Sequence, residues 1–418
     1  MTKEGQLACD SMAFVLAGGR GSRLKELTDD CAKPAIPFGG RSRIIDFALS
    51  NALNSGIPRI GVATQYKQRA LIRHIERLSP FLSTRRNGSL DILPGSEGSG
   101  GIYYEGTAGA VFQNIDVIER RAPRHVVILA GDHVYKMDYG RMLRQHVATG
   151  ADVTVGCITV PREEARGFGV MHVDVADRIT AFVEKPHDPP AVPGNPDASL
   201  ASMGIYVFDT AFLLDALHRD DADLGSSHDF GADIIPHIVQ HGRAFAHRFA
   251  DSCVRSAEEV NAYWRDVGTL DAYFAAHLDV MARRPRFDME DERWPLWTQR
   301  LQTARAPQRR DMTSPLIVHD GVLAGSRVRR SLLSDGTNIA DHANLEEVLL
   351  LPNCHIGSGA RLKRVIVDAG VTVPAGLVVG EDPDFDAQRF RRTAGGVCLV
   401  TQQMIDRLSM RDDVRSAA

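Results

Sequence analysis

The chain has 418 residues, 44% of them hydrophobic and 24% charged, with a formal net charge of -4. That length buries a sizeable core and points to two domains, while the near-balanced charge gives no long-range attraction to nucleic acid or to an anionic membrane. No stretch approaches the roughly 18 consecutive apolar residues of a membrane span.

The first apolar segment, Met12 to Ala17, is too short and too closely bounded by Gly to be a secretory signal, so a cytoplasmic protein is expected. Six scattered cysteines, with no C-x-x-C pair and no His at zinc spacing, read as reduced bystanders. Up to about Arg284, short apolar runs (Ala13 to Ala17, Ile57 to Ala63, Val126 to Ala130, Val153 to Ile158, Met203 to Phe208) alternate with helical stretches such as Arg69 to Arg77 and Tyr139 to His146. This alternation predicts an α/β sheet flanked by helices, with ligands beyond the carboxyl ends of its strands. Residues 1–284 are therefore the expected catalytic domain. Residues 285–313, rich in Arg, Pro and acidic residues, read as an ordered linker. Within 314–418, apolar residues recur at six-residue spacing: Ile339, Leu345 and Leu351, then Ile356 and Leu362, then Val367, Val373 and Val379. Six is no helical period, and it fits the hexapeptide repeat of a parallel β-helix.

The richest segment runs from Phe14 to Leu24 (F-V-L-A-G-G-R-G-S-R-L). An apolar strand ends at Leu16 and Ala17 and delivers Gly18, Gly19 and Gly21, whose backbone N–H groups can close on phosphate oxygens, while Arg20 and Arg23 add charge-assisted donors. It lacks the G-K-S/T ending of a P-loop, and Leu24 stands at the third glycine of a dinucleotide fingerprint. The reading is a triphosphate cradle.

With Lys33-Pro34 ten residues after Arg23, this segment resembles the sugar nucleotidyltransferase signature L-A-G-G-x-G-S/T-R-L. Arg43 to Asn51 (R-I-I-D-F-A-L-S-N), Ile128 to His133 (I-L-A-G-D-H), Phe182 to Pro186 (F-V-E-K-P), Ala201 to Phe208 (A-S-M-G-I-Y-V-F), Ser226 to Gly231 (S-S-H-D-F-G) and Tyr263 to Thr269 (Y-W-R-D-V-G-T) are similar to the bacterial ADP-glucose pyrophosphorylase family over nearly the whole chain. The resemblance implies a Rossmann-like (GT-A-like) α/β nucleotidyltransferase domain followed by a C-terminal left-handed parallel β-helix. It also implies ATP and glucose 1-phosphate as substrates, Mg²⁺ as cofactor, glycogen or another α-glucan as destination, and a homotetramer.

A sugar phosphate, with a second pKa of about 6, is largely dianionic at pH 7 and needs no general base to attack the α-phosphorus. Catalysis then reduces to holding two anions together with cations and a metal. By resemblance Asp132 and Asp266 bind the metal, Arg23, Lys33 and Asp132 are catalytic, and Leu16, Ala17, Gly18, Gly19, Arg20, Gly21, Glu97, Tyr104 and Gly106 join Arg23 and Lys33 around the nucleotide. Glu184, Lys185, Ser202, Tyr206 and Gly169 hold glucose 1-phosphate, with Lys185 gripping the phosphate. For Tyr104, core packing is an equal alternative. Taken singly, an Asp after a strand is a turn former or helix cap.

Several positions depart from the family. Glu97 replaces a Gln that reads the base, and an ionised Glu only accepts hydrogen bonds. Gly109 replaces an Asp at a helix start, Asp29-Asp30 replace basic residues of an activator site, Tyr103 replaces a Trp, and Leu78 to Leu82 lack an aromatic cluster. These leave open another base preference, or a weakly catalytic regulatory subunit of a mixed tetramer. They predict weak activation by fructose phosphates, because two carboxylates repel a sugar phosphate.

Overall fold

A run such as Ser11–Leu16 (SMAFVL), apolar at all but one position, suits a strand covered on both faces. A computed structural model gives that arrangement; it describes residues 3–82, 84, 88–96, 103–255, 262–297, 316–323 and 325–408. Met12 to Val15 are fully buried. Ser11–Leu16 lies parallel to Arg59–Thr64 on one side and to His125–Ala130 on the other, and Ser89–Pro94 continues the parallel set. Beyond His125–Ala130 the direction reverses. Ala198–Asp209 pairs antiparallel with it and carries Gly169–Val173 and then Ile179–Glu184, while Val153–Pro161 and Ala244–Arg248 complete a nine-stranded sheet. The helices expected around Arg69 and Tyr139 are Arg69–Ile75 and Tyr139–Thr149. Asp138 caps the second by accepting from Gly140 N–H.

The chain divides into two compact units: Met1–Arg20 with Ile45–Arg255, and Gly21–Ile44 with Ser256–Ala418. The first contains the sheet. In the second, Ser326–Leu333, Asn344–Leu350 and Arg361–Val367 stack in parallel at an offset of seventeen residues, as in the register Val328, Leu345, Leu362. Asn338–Ile339, His355–Ile356 and Thr372–Val373 stack in the same way on another face. Seventeen is two sixes and a five, which is why the sequence spacing slips between Leu351 and Ile356. Leu345, Ile356, Leu362, Val367, Val373 and Val379 all enter one buried cluster. Arg330, Glu347 and Arg364 bend each coil at positive φ and ladder across coils as ion pairs. Leu332, Leu349 and Ile366 are buried as well, outside that cluster, and the helix Leu270–Val280 packs against Asn344–Leu350. Among the described residues no helix is long and apolar enough to cross a membrane, and all six cysteines are free.

Tight stacking makes one glycine sensitive. Gly380 has φ +96°, and a Cβ there would collide with the Lys363 carbonyl oxygen of the coil beneath. Gly380→Ala is expected to destabilise this unit by on the order of 3 kcal/mol, read as a lowered Tm in calorimetry.

Three core histidines set the acid limit. His277 donates from Nδ1 to Tyr273 O (2.9 Å) and accepts at Nε2 from Gly39 N–H (3.2 Å), so the neutral ring is fully used. His247 lies between Gln145 Oε1 and Ser252 Oγ, and His146 against Thr154 Oγ1. Burial pushes all three down to about 4. The unfolded chain takes up protons near 6.5 while the folded one does not, so stability is full above pH 6.5 and is lost as pH falls towards 4, by about 3 kcal/mol per ring. Thermal melts across pH 7 to 4 are expected to show that decline.

Candidate active site

Parallel strands present their carboxyl ends on one edge, and the predicted cradle leaves from there. Leu16 and Ala130 are register partners at the ends of adjacent strands; Ala17 N–H donates to Ala63 O and Gly131 N–H to Leu16 O. Gly18-Gly19 and Asp132 thus leave the sheet side by side. A Cβ on Gly131 would sit 3.1 Å from Leu16 O, whereas Gly19 faces open space. The Arg20 guanidinium lies 5.4 Å above the Tyr66 ring. The Asp132 side chain is about one-third exposed, its Oδ1 3.5 Å from His133 Nε2.

Gln65, which the sequence did not single out, bridges the cradle to the next loop. Its Cβ lies against Gly18 and its Oε1 accepts from Tyr104 N–H at 2.8 Å. Tyr104 itself belongs to the core: its ring is buried, its phenol donates to Leu93 O and accepts from Asn114 Nδ2, and burial raises its pKa. Glu97 lies outside the described residues. Gly106 opens the helix Gly106–Phe112 at φ +65°, where a Cβ would collide with His228 O. Gly106→Ala is expected to raise the KM for nucleotide several-fold and to lower Tm, since neither the dihedral nor the space admits a methyl group.

The residues that the resemblance assigns to glucose 1-phosphate lie in the same unit. Gly169 pairs with Glu184, and a Cβ on Gly169 would collide with the Phe182 ring and come within 2.8 Å of Glu184 Oε2. Lys185, at φ 45°, donates its N–H to Phe168 O, and its exposed ammonium lies 2.7 Å from Glu184. The strand Ala198–Asp209 shifts register between Ser202 and Tyr206, where Gly204 takes φ +65°. This irregularity brings Ser202 Oγ and Tyr206 Oη to 3.5 Å. The Tyr206 ring lies 5.5 Å from that of Phe230, and burial raises its phenol pKa.

The second unit holds the other cations. Gly21, at φ +69°, leaves room for the Lys33 stem, since a Cβ there would come within 2.7 Å of Lys33 Cβ. Lys33 is nearly buried, and its Nζ lies 2.7 Å from Asp266 Oδ1; the exposed Arg23 reaches Oδ2 at 3.4 Å. Asp266 ends the short strand Trp264–Asp266. Asp132 and Asp266 are the two carboxylates that the resemblance assigns to the metal. Their oxygen donors suit a hard divalent cation such as Mg²⁺, which binds through one or two carboxylates plus substrate phosphates.

A Gly-rich loop and an Asp at the carboxyl ends of a parallel sheet, with clustered cations elsewhere in the chain, define a nucleotide-handling α/β enzyme. The family model described as nucleotidyl transferase matches residues 12–283, and one described as GlmU-like, C-terminal hexapeptide matches 299–400. The glucose-1-phosphate adenylyltransferase of Novosphingobium aromaticivorans is 61% identical over 411 residues, covering 96% of this chain and 98% of its own. Those of Mesorhizobium japonicum and Rhizobium meliloti are each 59% identical, covering 97% of this chain and 98% of theirs. The chain belongs to the nucleotidyl transferase family, in its glucose-1-phosphate adenylyltransferase group.

Proposed function

We propose that the protein joins ATP to α-D-glucose 1-phosphate, giving ADP-glucose and pyrophosphate for α-glucan synthesis. The observation that carries this reading is the pair Lys33 and Arg23 on Asp266, two cations held ready for polyphosphate beside a carboxylate suited to a metal. An oxygen of the sugar phosphate attacks the α-phosphorus, the new P–O bond forms, and the bond to the β-phosphate breaks with pyrophosphate leaving. No proton need be removed, because the nucleophile is already ionised.

Gly18, Gly19 and Arg20 bind the triphosphate, while Lys33 and Arg23 take up charge on the leaving pyrophosphate. Lys185 orients the incoming phosphate, and Glu184, Ser202 and Tyr206 take the sugar hydroxyls. Asp132 and Asp266 are the proposed Mg²⁺ ligands; bound Mg²⁺ would neutralise the triphosphate. Residues 1–284 are assigned to catalysis, 285–313 to a linker and 314–418 to the β-helix and C-terminal segment. A cytoplasmic homotetramer, alone or with a related subunit, is the proposed assembly.

Asp29 and Asp30 lie close enough to Asp368 to help hold its carboxyl up at about 6, after burial. A region that already penalises negative charge is a poor seat for a sugar bisphosphate, so fructose 1,6-bisphosphate is expected to change the initial rate less than about twofold. Glu97 supports a second reading with another base preference. Pyrophosphate release measured with ATP, UTP, GTP, CTP and dTTP at fixed glucose 1-phosphate tests both. Robust turnover with ATP alone supports the first, a different preferred nucleotide the second, and no turnover favours a regulatory subunit.

A further inference from the structure

The segment Ser226 to Gly231 touches both halves of the proposed substrate site. Towards the nucleotide side, the His228 carbonyl accepts from Ala108 N–H (2.7 Å) and Gly109 N–H (3.2 Å), taking two otherwise free amides at the start of Gly106–Phe112. Thr107 Oγ1 donates to Asp229 Oδ2 and accepts from Phe230 N–H, both at 2.9 Å. Towards the sugar side, Phe230 lies against the Tyr206 ring, and Gly231 leaves room for Glu184, whose Oε2 a Cβ there would meet at 2.5 Å.

The strap is tied down by two carboxylates; Asp233 accepts from Ser227 Oγ (2.6 Å) and Asp229 N–H (3.0 Å), and Asp220 holds the His228 end. Asp220, buried near the end of the helix Thr210–Asp221, accepts from Ser226 Oγ (2.8 Å) and from His228 Nδ1 (2.9 Å), and Ser226 Oγ accepts from His228 N–H (2.9 Å). His228 is held at φ +54°, a left-handed conformation that turns its carbonyl onto the helix start.

We propose that Asp220 and His228 form a positioning pair, which through the 226–231 strap sets the nucleotide-side helix and the sugar pocket together. The proposal rests on the adenylyltransferase reading for the identity of the two ligands. It also explains how Gly109 is tolerated: the His228 carbonyl caps this helix from outside, so no acidic side chain is needed there. Among the described residues, the charged groups that act on the imidazole are acidic: Asp220 and Asp221 from the preceding helix, and Glu105 from the residue before Gly106. The Asp220 hydrogen bond leads in raising the His228 pKa above its ordinary value. The charged pair is therefore complete below about pH 6.5 and is lost as pH rises through the raised value.

His228→Gly removes the imidazole without straining the left-handed backbone, and His228→Asn restores a donor with a side chain that tolerates that conformation. Turnover by the unaltered protein with ATP and glucose 1-phosphate tests the activity itself. ATP binding by titration calorimetry tests the strap whatever the turnover. The expected result for His228→Gly is an ATP Kd and both KM values raised about tenfold with kcat within about twofold. The unaltered protein is expected to show KM rising with pH; His228→Asn should recover binding and lose that rise. Unchanged Kd and KM in His228→Gly, a fall in kcat and Tm alone, or no recovery in His228→Asn would each overturn the pair's role.

Discussion

Asp132→Asn is expected to lower the rate of pyrophosphate release by about 10³-fold while leaving Tm within about 2 °C. The exchange keeps the shape of the side chain and removes its charge. Asp132 follows Gly131, which is pinned beneath Leu16, so its backbone position does not depend on the carboxylate. Its side chain is about one-third exposed, so the neutral amide leaves no buried charge uncompensated. What changes is affinity for cation-bound triphosphate, because an amide oxygen is a weaker ligand for a hard divalent ion than a carboxylate. The half-saturating Mg²⁺ concentration should therefore rise together with the loss of rate. A variant within fivefold of the unaltered protein at ordinary Mg²⁺ would remove Asp132 from the chemistry.

The parallel strands were legible because burial on both faces leaves continuous apolar runs, and Ser11–Leu16 and His125–Ala130 fall where those runs predict. The β-helix was legible for a related reason: each coil spends its inward corners on Ile, Leu or Val, so a structural period became a spacing in sequence. Tyr104 was ambiguous because a tyrosine can serve a core or a ligand equally well, and only the Leu93 and Asn114 contacts assign its phenol. The register shift between Ser202 and Tyr206 left no pattern beyond one glycine. The pairing of Lys33 with Asp266 spans 233 residues, and no local rule reaches that far. The 226–231 strap lies on a motif, but its anchor Asp220 falls outside that motif, and much of its work is done by backbone carbonyls and amides, which every sequence contains.

Lys33→Met is expected to cost about 10²- to 10³-fold in kcat/KM and, unlike Asp132→Asn, to lower stability as well. Methionine is long enough to keep the stem against Gly21, but among the described residues it leaves Asp266 with the exposed Arg23 at 3.4 Å as its ion-pair partner. Breaking a pair whose members are both largely shielded costs about 3 kcal/mol, mostly from the charge left behind. Two effects are therefore mixed in the single variant, and a second substitution separates them. Lys33→Met combined with Asp266→Asn removes the stranded carboxylate and should return Tm most of the way, whereas the rate should stay low because the exposed Arg23 is left to meet the leaving pyrophosphate without Lys33, and a proposed Mg²⁺ ligand is gone. If the double variant recovered the rate along with Tm, Lys33 would act only by holding Asp266. If Lys33→Met alone kept its rate, the pyrophosphate role would fall to Arg23 and Arg20.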